Sequence, residues 1–475
     1  MTTKPYLVAG QERTGQKTLQ VKAPFDGSVV AEVAVPTEAD VEEAAARAAE
    51  TFRESQHLPV HARAEALTHV SSRLAERQDE VAELIAREGG KPLKWSKVEA
   101  ARAVSTFRWA AEEVRRAGGE VLRLDTEEAL GSRLGIVRRF PFGPVLGISP
   151  FNFPVNLVAH KVAPALGVGA PIVVKPATQT PLGALLLGEL IGETDLPPGM
   201  ISVLPISGAG AEPLVKDDRF AKVSFTGSTT VGWHLRGLAP KKHFTLELGG
   251  NAGVIVHSDA DLDHAASRVA FGGYYQAGQS CISVQRVLVQ SEVYDDFVAR
   301  FVKQVEGLKT GDPLDPSSDV GPVIDSDALD RITDWVDEAV AGGAEVLVGG
   351  KRDDPFYQPT ILANVTADMK VCREEVFGPV TVVQQYQTFE QALAEVNSSQ
   401  YGLQAGLFTR DMERAMLAHR EIVVGGLIVN DVSAYRADQM PYGGAKESGR
   451  GREGLRYAME EMTEPRIMVL SHVPL

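Results

Sequence analysis

The chain has 475 residues, a length that exceeds one ordinary hydrophobic core and predicts two or three domains. Its 44% hydrophobic and 23% charged residues are typical of a soluble globular protein. The formal net charge of −15 argues against a nucleic-acid-binding protein, because phosphate contacts need a basic face.

Targeting and metal-binding signals are weak along the chain. The N-terminal stretch "MTTKPYLVAGQERTGQ" lacks the apolar core of a signal peptide, and apolar runs such as "LGALLLGELIG" fall short of a membrane span. Two cysteines cannot make a disulfide framework, and without a CxxC or a Cys/His cluster we expect no metal site. The sequence therefore predicts a protein of the reducing cytoplasm, with no membrane and no nucleic-acid partner.

The first third of the chain is predicted to be mostly helical. Thr37 and Asp40 resemble the start of a capping box for the first helix. A second helix is expected near residues 60–88, ending at the Gly89-Gly90 pair, and a third over about 95–117. Two strands follow, in "SRLGIVRRF" and "PVLGISP".

From Pro171 onward, strands alternate with helices. The predicted strands are "PIVVKPA", "GMISVLP", "AKVSFTG" and "HFTLELGG", separated by helices in "PLGALLLGELIGE", residues 211–216 and "STTVGWHLRG". This alternation predicts crossover units and a parallel, doubly wound sheet. It resumes after Asn251 with "AGVIVHS", a helix through about residue 276, "QRVLVQ" and a helix to about residue 307, which predicts a second α/β lobe.

Two strand ends carry signals for phosphate binding. The strand "PIVVK" ends at Lys175, and the strand "KVSFT" leads through Gly227 and Ser228 to Gly232 at the start of a helix. Glycines there let backbone N–H groups and the positive helix end approach a phosphate. A tight turn and a surface lysine would explain either feature alone, but on neighbouring strands together they favour a nucleotide.

Three further residues have types and settings that suit chemistry. Cys281 in "GQSC" follows a helix end, and a thiol there becomes a good nucleophile where a positive environment favours its thiolate. Asn152 in "SPFNFPVNL" can donate to an oxyanion, and Glu247 in "ELGG" can act as a general base at a strand end. Alternatively, Cys281 only fills the hydrophobic core, Asn152 is a turn residue and Glu247 is an ion-pair partner.

The chain resembles the aldehyde dehydrogenase superfamily from about residue 20 to its end. Seven motifs carry the resemblance in the expected order: "PFNFP", "VVKPA", "SFTGSTTVG", "ELGG", "GQSC", "EEVFGPV" and "PYGGAKESGRGREG". The resemblance implies oxidation of an aldehyde to its carboxylic acid with NAD or NADP, through a cysteine thiohemiacetal and a thioester that water hydrolyses. It also implies an α/β fold of two doubly wound parallel-sheet lobes with a small strand-built oligomerisation flap.

The resemblance also implies roles for individual residues. Cys281 matches the nucleophile, Glu247 the general base and Asn152 the oxyanion donor, while Lys161 and Glu453 match a pair implicated in moving protons. The residues matching cofactor-binding positions are Ser149, Pro150, Lys175, Thr178, Gly227, Ser228, Gly232, Leu248, Gly249, Glu375 and Phe377.

Two departures from the family pattern concern specificity. Many members that prefer NAD carry a glutamate where this chain has Thr178, and its carboxylate would repel the 2′-phosphate of NADP. Because Thr178 removes that repulsion, we expect NADP to be tolerated. Arg102, His160 and Arg436 fall at positions expected to contact substrate, and "RADQMPYGG" is similar to the branch acting on lactaldehyde, glyceraldehyde phosphate and phosphonoacetaldehyde. Arginines suit anionic groups, which predicts a small anionic aldehyde. Alternatively, Arg102 and Arg436 form structural ion pairs, and the substrates are neutral aliphatic or aromatic aldehydes.

Domain boundaries also follow from the resemblance. Residues 1–123 and 143–249 would form the dinucleotide-binding domain, and residues 250–460 the catalytic domain. The segments 124–142 and 461–475 would form the oligomerisation flap of a homodimer or homotetramer. Three other functions are possible in principle. A coenzyme-A-acylating enzyme would not need Glu247 as a base, and a thiol hydrolase would have no use for the nucleotide-binding sheet. A non-catalytic protein would tolerate loss of Cys281.

Overall fold

The structure, a computed structural model, describes residues 3–472, so the outermost residues of the predicted segments 1–123 and 461–475 lie outside it. The helices are α1 (Glu38–Ser55), α2 (Val60–Glu76), α3 (Gln78–Gly89), α4 (Leu93–Arg116), α5 (Asn156–Val168), α6 (Leu182–Gly192), α7 (Gly208–Lys216), α8 (Thr229–Leu238), α9 (Leu262–Tyr274), α10 (Tyr294–Glu306), α11 (Ser326–Ala341), α12 (Lys370–Arg373), α13 (Phe389–Ser398), α14 (Met412–Glu421) and α15 (Leu455–Glu461).

The strands are β1 (Tyr6–Val8), β2 (Gln11–Arg13), β3 (Thr18–Lys22), β4 (Val29–Ala34), β5 (Glu120–Arg123), β6 (Arg133–Pro141), β7 (Val145–Ile148), β8 (Ile172–Lys175), β9 (Ile201–Val203), β10 (Lys222–Thr226), β11 (His243–Glu247), β12 (Ala252–Val256), β13 (Val284–Gln290), β14 (Glu345–Val348), β15 (Arg352–Asp353), β16 (Phe356–Tyr357), β17 (Thr360–Ala363), β18 (Val380–Tyr386), β19 (Tyr401–Gly402), β20 (Gln404–Phe408), β21 (Gly426–Val429), β22 (Ala445–Lys446), β23 (Gly449–Arg450) and β24 (Thr463–Ser471).

The alternation predicted after Pro171 builds the first large sheet. Within residues 3–472 its strand order is β2-β1-β9-β8-β7-β10-β11-β23, and the five strands from β9 to β11 are parallel. The chain runs outward from β7 to β9, then returns and continues on the other side with β10 and β11. The sheet is therefore doubly wound, as predicted, and its topological switch point lies between β7 and β10.

The second large sheet forms the other lobe. In the described part of the chain its order is β14-β17-β18-β13-β12-β20-β21, parallel except for the edge strand β14. Both sheets are buried against helices, and buried residues of each lobe form separate hydrophobic clusters. The predicted α/β class with two parallel-sheet lobes is confirmed.

A third, smaller sheet joins distant parts of the chain. Among the described residues it contains β24, β6 and β5 in that order, all antiparallel, with nine residue pairs between β24 and β6. It therefore unites the two segments predicted to form the flap. It also includes β5, which lies on the other side of the predicted boundary at residue 123, and the domain boundaries stay predictions.

The N-terminal third agrees only in part with the sequence. The capping box of Thr37 and Asp40 is present, and α3 ends where Gly90 adopts a left-handed φ of 67°. The single helix expected over 60–88 is wrong, because Arg77, with φ −103° and ψ 18°, separates α2 from α3. The strands β1 to β4 were not predicted, since each is short and lacks a sustained alternation.

No helix within residues 3–472 is long and apolar enough to cross a membrane.

Candidate active site

A cleft between the two lobes collects the reactive side chains. Strand β11 ends at Glu247, and only residues 248–251 separate it from β12, so the carboxyl edge of the first sheet faces the amino edge of the second. The cleft contains a cavity of about 290 Å³ that reaches Cys281. Helices α4, α5 and α9 and the segment 434–442 line it.

The loop before Cys281 has an unusual backbone. Gln276, Ala277 and Gly278 have φ values of 54°, 53° and 68°, so three consecutive residues adopt the left-handed region. Two of them are not glycine, and such strain persists only where the surroundings hold it, commonly at functional sites. This left-handed turn follows α9 and carries the chain to Cys281, three residues before β13 begins. The sequence had predicted helix as far as residue 276.

Close packing fixes Cys281 against the end of the first sheet. A methyl group on Gly250 would overlap the Cys281 carbonyl oxygen, so only glycine allows this approach. The Cys281 Sγ lies 3.1 Å from the Tyr442 hydroxyl, and the two form a hydrogen bond. The backbone N–H of Cys281 donates to no atom of residues 3–472.

The electrostatic setting of Cys281 differs from the sequence expectation. A positive environment favouring the thiolate was expected, but burial raises the pKa of the Cys281 thiol to about 12. The Tyr442 hydrogen bond opposes that rise, whereas the charges of Glu375 and Glu247 add to it. The resting form is therefore the neutral thiol, and a nearby base must remove its proton before it can attack.

Asn152 is tied to the same loop. Its Nδ2 donates to the carbonyl oxygen of Gln279 over 3.0 Å, and its own backbone carbonyl accepts from Gln276 Nε2. An amide nitrogen has two hydrogens, so one remains for a further acceptor. Asn152 is buried, with 4% of its surface exposed. Gln279, to which it is bonded, lies two residues before Cys281 in the sequence. This arrangement suits an oxyanion donor.

Glu247 and Glu453 are two buried carboxyl groups with opposite properties. Glu453 accepts from Lys161 Nζ over 3.1 Å and from Arg436 over 2.9 Å. These two charges outweigh burial and lower the pKa of Glu453 to about 2. Glu247 has no hydrogen-bond partner in the described part of the chain. Burial first, and the charge of Glu453 second, raise the pKa of Glu247 well above its usual range.

The predicted cofactor residues of the first lobe lie together at the carboxyl edge of its sheet. Ser149 and Pro150 follow β7, Lys175 ends β8, and Gly227 and Ser228 follow β10 on the other side of the switch point. Thr178 lies half-buried after β8, while Leu248 and Gly249 follow β11.

These residues fit a dinucleotide. Burial lowers the pKa of Lys175, and no carboxylate among residues 3–472 pairs with it. The Ser149 hydroxyl is buried without a partner among those residues. Ser228 begins α8 without a side-chain cap bond, which leaves the backbone N–H groups of that helix end open to a phosphate. Gly232 packs tightly on Leu248, where a methyl group would lie 3.2 Å from its Cδ1.

Two predicted cofactor residues come from the second lobe. Glu375 accepts from the Gly250 N–H over 2.8 Å, and burial raises its pKa to about 7. A methyl group on Gly249 would lie 3.0 Å from the Glu375 carboxyl carbon. Phe377 has a left-handed φ of 48° and meets the Phe151 ring edge-on at 5.9 Å. Both therefore face the carboxyl edge of the first sheet.

Two of the three predicted substrate residues line the cavity, and one does not. Arg102 and Arg436 both line it. His160 is fully buried behind it, with Nε2 3.3 Å from Asp438 Oδ1, in a contact that lacks hydrogen-bond geometry. Burial, and then the charge of Arg436, lower the pKa of His160 to about 4, so the imidazole is neutral.

Arg268 and Tyr442 are two of the lining residues that were not predicted from the sequence. Arg268 on α9 lies over the Phe271 ring at 4.4 Å and pairs with Asp431 at 2.7 Å. Its helical spacing ahead of Phe271 and Tyr275 was the available signal. Tyr442, which contacts the thiol, lies in the "MPYGG" segment, where nothing in the residue pattern distinguishes it from a core aromatic.

Comparisons with known proteins agree with this geometry. The sequence profile described as "Aldehyde dehydrogenase family" matches residues 11–468. The 3-sulfolactaldehyde dehydrogenase of Priestia megaterium is 45% identical over 465 residues, which cover 98% of this chain and 97% of that protein.

Two solved structures are also similar. The crystal structure of aldehyde dehydrogenase 21 from Physcomitrella patens, in complex with the reaction product succinate, has a TM-score of 0.98 at 41% identity and covers 99% of both chains. Glyceraldehyde-3-phosphate dehydrogenase GapN from Methanocaldococcus jannaschii, complexed with NADP, has a TM-score of 0.92 at 35% identity and covers 96% of this chain and 100% of that chain.

The Tyr442 contact predicts the reactivity of the thiol. Tyr442→Phe removes the hydrogen bond that opposes the raised pKa of Cys281, so alkylation by iodoacetamide at pH 8 should slow by about three- to tenfold, since only the thiolate reacts. Tyr435→Phe is the matched control, because Tyr435 lines the cavity but is exposed and has no bond to the sulfur. Equal alkylation rates in both variants would contradict the assignment.

Proposed function

The chain belongs to the aldehyde dehydrogenase family, and from that premise we propose that it oxidises a small anionic aldehyde to its carboxylic acid with NAD or NADP. The substrate class is inferred from one observation. The side chains that line the cavity above Cys281 include, among the described residues, four cations and one carboxylate: Lys91, Arg102, Arg268, Arg436 and Glu99. Each of these cations also pairs with a carboxylate: Lys91 with Glu99, Arg102 with Asp438, Arg268 with Asp431 and Arg436 with Glu453. The cavity therefore offers an anionic substrate guanidinium N–H donors rather than an excess of positive charge.

The first chemical step uses the thiol and its neighbours. Glu247 takes the proton of Cys281, whose sulfur then attacks the aldehyde carbon. The resulting oxyanion accepts from Asn152 Nδ2 and from the Cys281 backbone N–H, two donors with a free hydrogen in this structure. Tyr442 hydrogen-bonds the sulfur and holds it toward the cavity. A bound nicotinamide would supply the acceptor for the hydride that leaves the thiohemiacetal.

The second step is hydrolysis of the thioester. Glu247 is suited to activate water, because a general base works best when its pKa lies near the working pH. Burial and the charge of Glu453 raise its pKa above that of an ordinary glutamate, which makes its carboxylate a stronger base. An enzyme that passed its acyl group to coenzyme A would not need this base, so the buried, unpaired Glu247 favours a carboxylic acid as product.

Three cationic side chains would bind the anionic end of the substrate. Arg102 is held only loosely by Asp438, at 3.4 Å, and keeps 26% of its side chain exposed. Arg268 and Arg436 complete the set across the cavity. The similar proteins support the same chemistry, since sulfolactaldehyde, glyceraldehyde 3-phosphate and succinate each carry an anionic group.

We also propose that the subunits associate through the small sheet. Its strands expose large apolar side chains: Val121, Ile467 and Met468 are 68%, 53% and 54% exposed. Exposed apolar edge strands favour pairing with another chain. A homodimer or a homotetramer would cover them.

Glu247→Gln removes the base proposed for both chemical steps. The burst of reduced nucleotide, about one equivalent per subunit, should form more slowly than in the wild type because the thiol proton has lost its acceptor. Steady-state turnover should then be slowed by about 10²–10⁴-fold because hydrolysis lacks its base. Stopped-flow absorbance at 340 nm measures both phases. Glu447→Gln, at an exposed position, is the control, and full turnover in Glu247→Gln would exclude the proposed base.

Arg102→Ala tests the substrate class. Loss of one charged contact should raise KM for aldehydes with a carboxylate, phosphate or sulfonate by about 10- to 100-fold, and leave KM for propionaldehyde unchanged. Arg108→Ala, on the exposed face of the same helix, should change neither value. An equal effect on charged and neutral aldehydes would show that the cavity is not selective for anions.

Thr178→Glu tests cofactor choice. A carboxylate near Lys175 should repel the 2′-phosphate and lower kcat/KM for NADP by at least about tenfold relative to NAD. Gln179→Glu adds the same charge at the neighbouring exposed position and should leave the ratio nearly unchanged. An unchanged ratio in Thr178→Glu would refute the role of this residue.

A further inference from the structure

A row of polar side chains crosses the middle of the first sheet. Residues two apart on a strand share one face, and the parallel register places these pairs side by side: Lys222 with His243, Ser224 with Thr245, and Thr226 with Glu247. We call these six residues the polar ladder. It runs from the proposed general base at the carboxyl ends of β10 and β11 to the opposite end of the sheet.

The polar ladder is unexpected at this place. Strands of a parallel sheet covered on both faces normally read as continuous apolar runs. The other face of the same two strands follows that rule, with Val223, Phe225, Phe244 and Leu246 all buried. Five of the six ladder residues are buried as well. Packing alone does not explain polar groups there, because burying them without partners is unfavourable.

The inner half of the ladder is in contact with the proposed reactive groups. Lys161 Nζ donates to Thr226 Oγ1 over 2.6 Å, to Ser224 Oγ over 3.3 Å and to Glu453 over 3.1 Å. Gly147 on β7 lies beside the lysine stem, where a methyl group would make an ordinary contact of 3.6 Å with its Cδ. One ammonium group therefore links two rungs of the ladder to Glu453, and the charge of Glu453 in turn acts on Glu247.

The outer half reaches solvent. Thr245 Oγ1 and Lys222 Nζ are buried without a hydrogen-bond partner in the described part of the chain. Lys222 Nζ lies 3.6 Å from Glu461 Oε2, whose side chain is 37% exposed. The Gly451 backbone covers this end, where a methyl group would lie 3.1 Å from Thr245 Oγ1 and 3.3 Å from Glu461 Oε2. Thr245, Lys222 and Glu461 are thus neighbours at the surface end of the ladder.

The charges around Lys222 suit a group that gains and loses a proton. Burial lowers the pKa of Lys222 to about 8, with Glu461 opposing the shift and Lys161 adding to it. His243 pairs with Lys222 in the register and stacks on the Phe142 ring at 3.8 Å. Burial first, and the charge of Lys222 second, lower the pKa of His243.

The proposed reaction needs an exit for protons. An aldehyde, water and the oxidised nucleotide give a carboxylate, the reduced nucleotide and two protons, and Glu247 receives protons in both steps. We propose that the polar ladder carries these protons from Glu247 to solvent at Glu461, with water bridging groups that do not touch. This inference rests on the proposed function and assigns Thr245, Lys222 and Glu461 as the outer relay residues.

The test uses two mild substitutions and an ester. Thr245→Val keeps the shape of the side chain, and Glu461→Gln changes a partly exposed one. With p-nitrophenyl acetate the acetyl group moves to Cys281 Sγ as p-nitrophenolate leaves, and water then releases acetate, so hydrolysis is measured without a dinucleotide. Both variants should keep the p-nitrophenolate burst, while steady-state turnover in weak buffer falls by about tenfold, less than the loss expected for removing the base itself.

Three readouts separate a proton route from a structural role. Steady-state turnover of both variants should recover as imidazole buffer is added, and their solvent deuterium isotope effect should exceed that of the wild type. Glu460→Gln, on the same helix, should behave as the wild type, because among residues 3–472 its side chain pairs only with Arg456. Wild-type turnover in both variants, or a loss that imidazole does not restore, would overturn the proposal.

Failure of the proposed function would look different. A wild-type protein that hydrolyses the ester but oxidises no aldehyde with either nucleotide would refute the dehydrogenase assignment, while the ester would still show whether the ladder carries protons.

Discussion

The site depends on the way one buried carboxylate, Glu453, is neutralised. Lys161 and Arg436 both bind it, and their charges keep it ionised where burial alone would protonate it. Glu247 has no hydrogen-bond partner within residues 3–472, and burial and the charge of Glu453 raise its pKa. Two carboxyl groups whose environments separate their pKa values in this way suit different roles, one fixed in charge and one able to exchange a proton.

The fold brings these groups together from distant parts of the chain. Lys161 comes from α5 on the first lobe, and Glu453 and Arg436 come from the segment that returns from the second lobe. Because β11 runs almost directly into β12, the carboxyl edge of one sheet faces the amino edge of the other. The cleft is therefore a consequence of the short connection at residues 248–251, and the thiol and the nucleotide residues approach it from opposite sides.

Much of this arrangement could be predicted from the sequence. The alternation after Pro171 predicted the doubly wound sheet. Glu247 was correctly placed at a strand end because two glycines, Gly249 and Gly250, follow soon after it. Local patterns could not show which side chains line the cavity. His160 falls on a helix that is buried all round, so nothing in its neighbours distinguishes the cavity side from the Asp438 side.

The errors have physical causes of the same kind. The break at Arg77 lies within a continuous helical pattern that contains neither glycine nor proline, so periodicity could not find it. The raised pKa of Cys281 depends on burial against residues more than a hundred positions away in the chain, such as Leu403. Charges near a thiol can be inferred from a motif, but the extent of its desolvation requires the folded structure.

The helix α15 connects the reactive centre to the small sheet without an intervening loop. Glu453 lies just before this helix of about two turns, and β24 begins two residues after it ends. A displacement of β24 would therefore be transmitted to Glu453 through this short helix. An affinity tag or fusion partner attached beyond this strand would act on the ionic balance of the cleft, so the C-terminal side of the molecule is a poor choice for immobilisation.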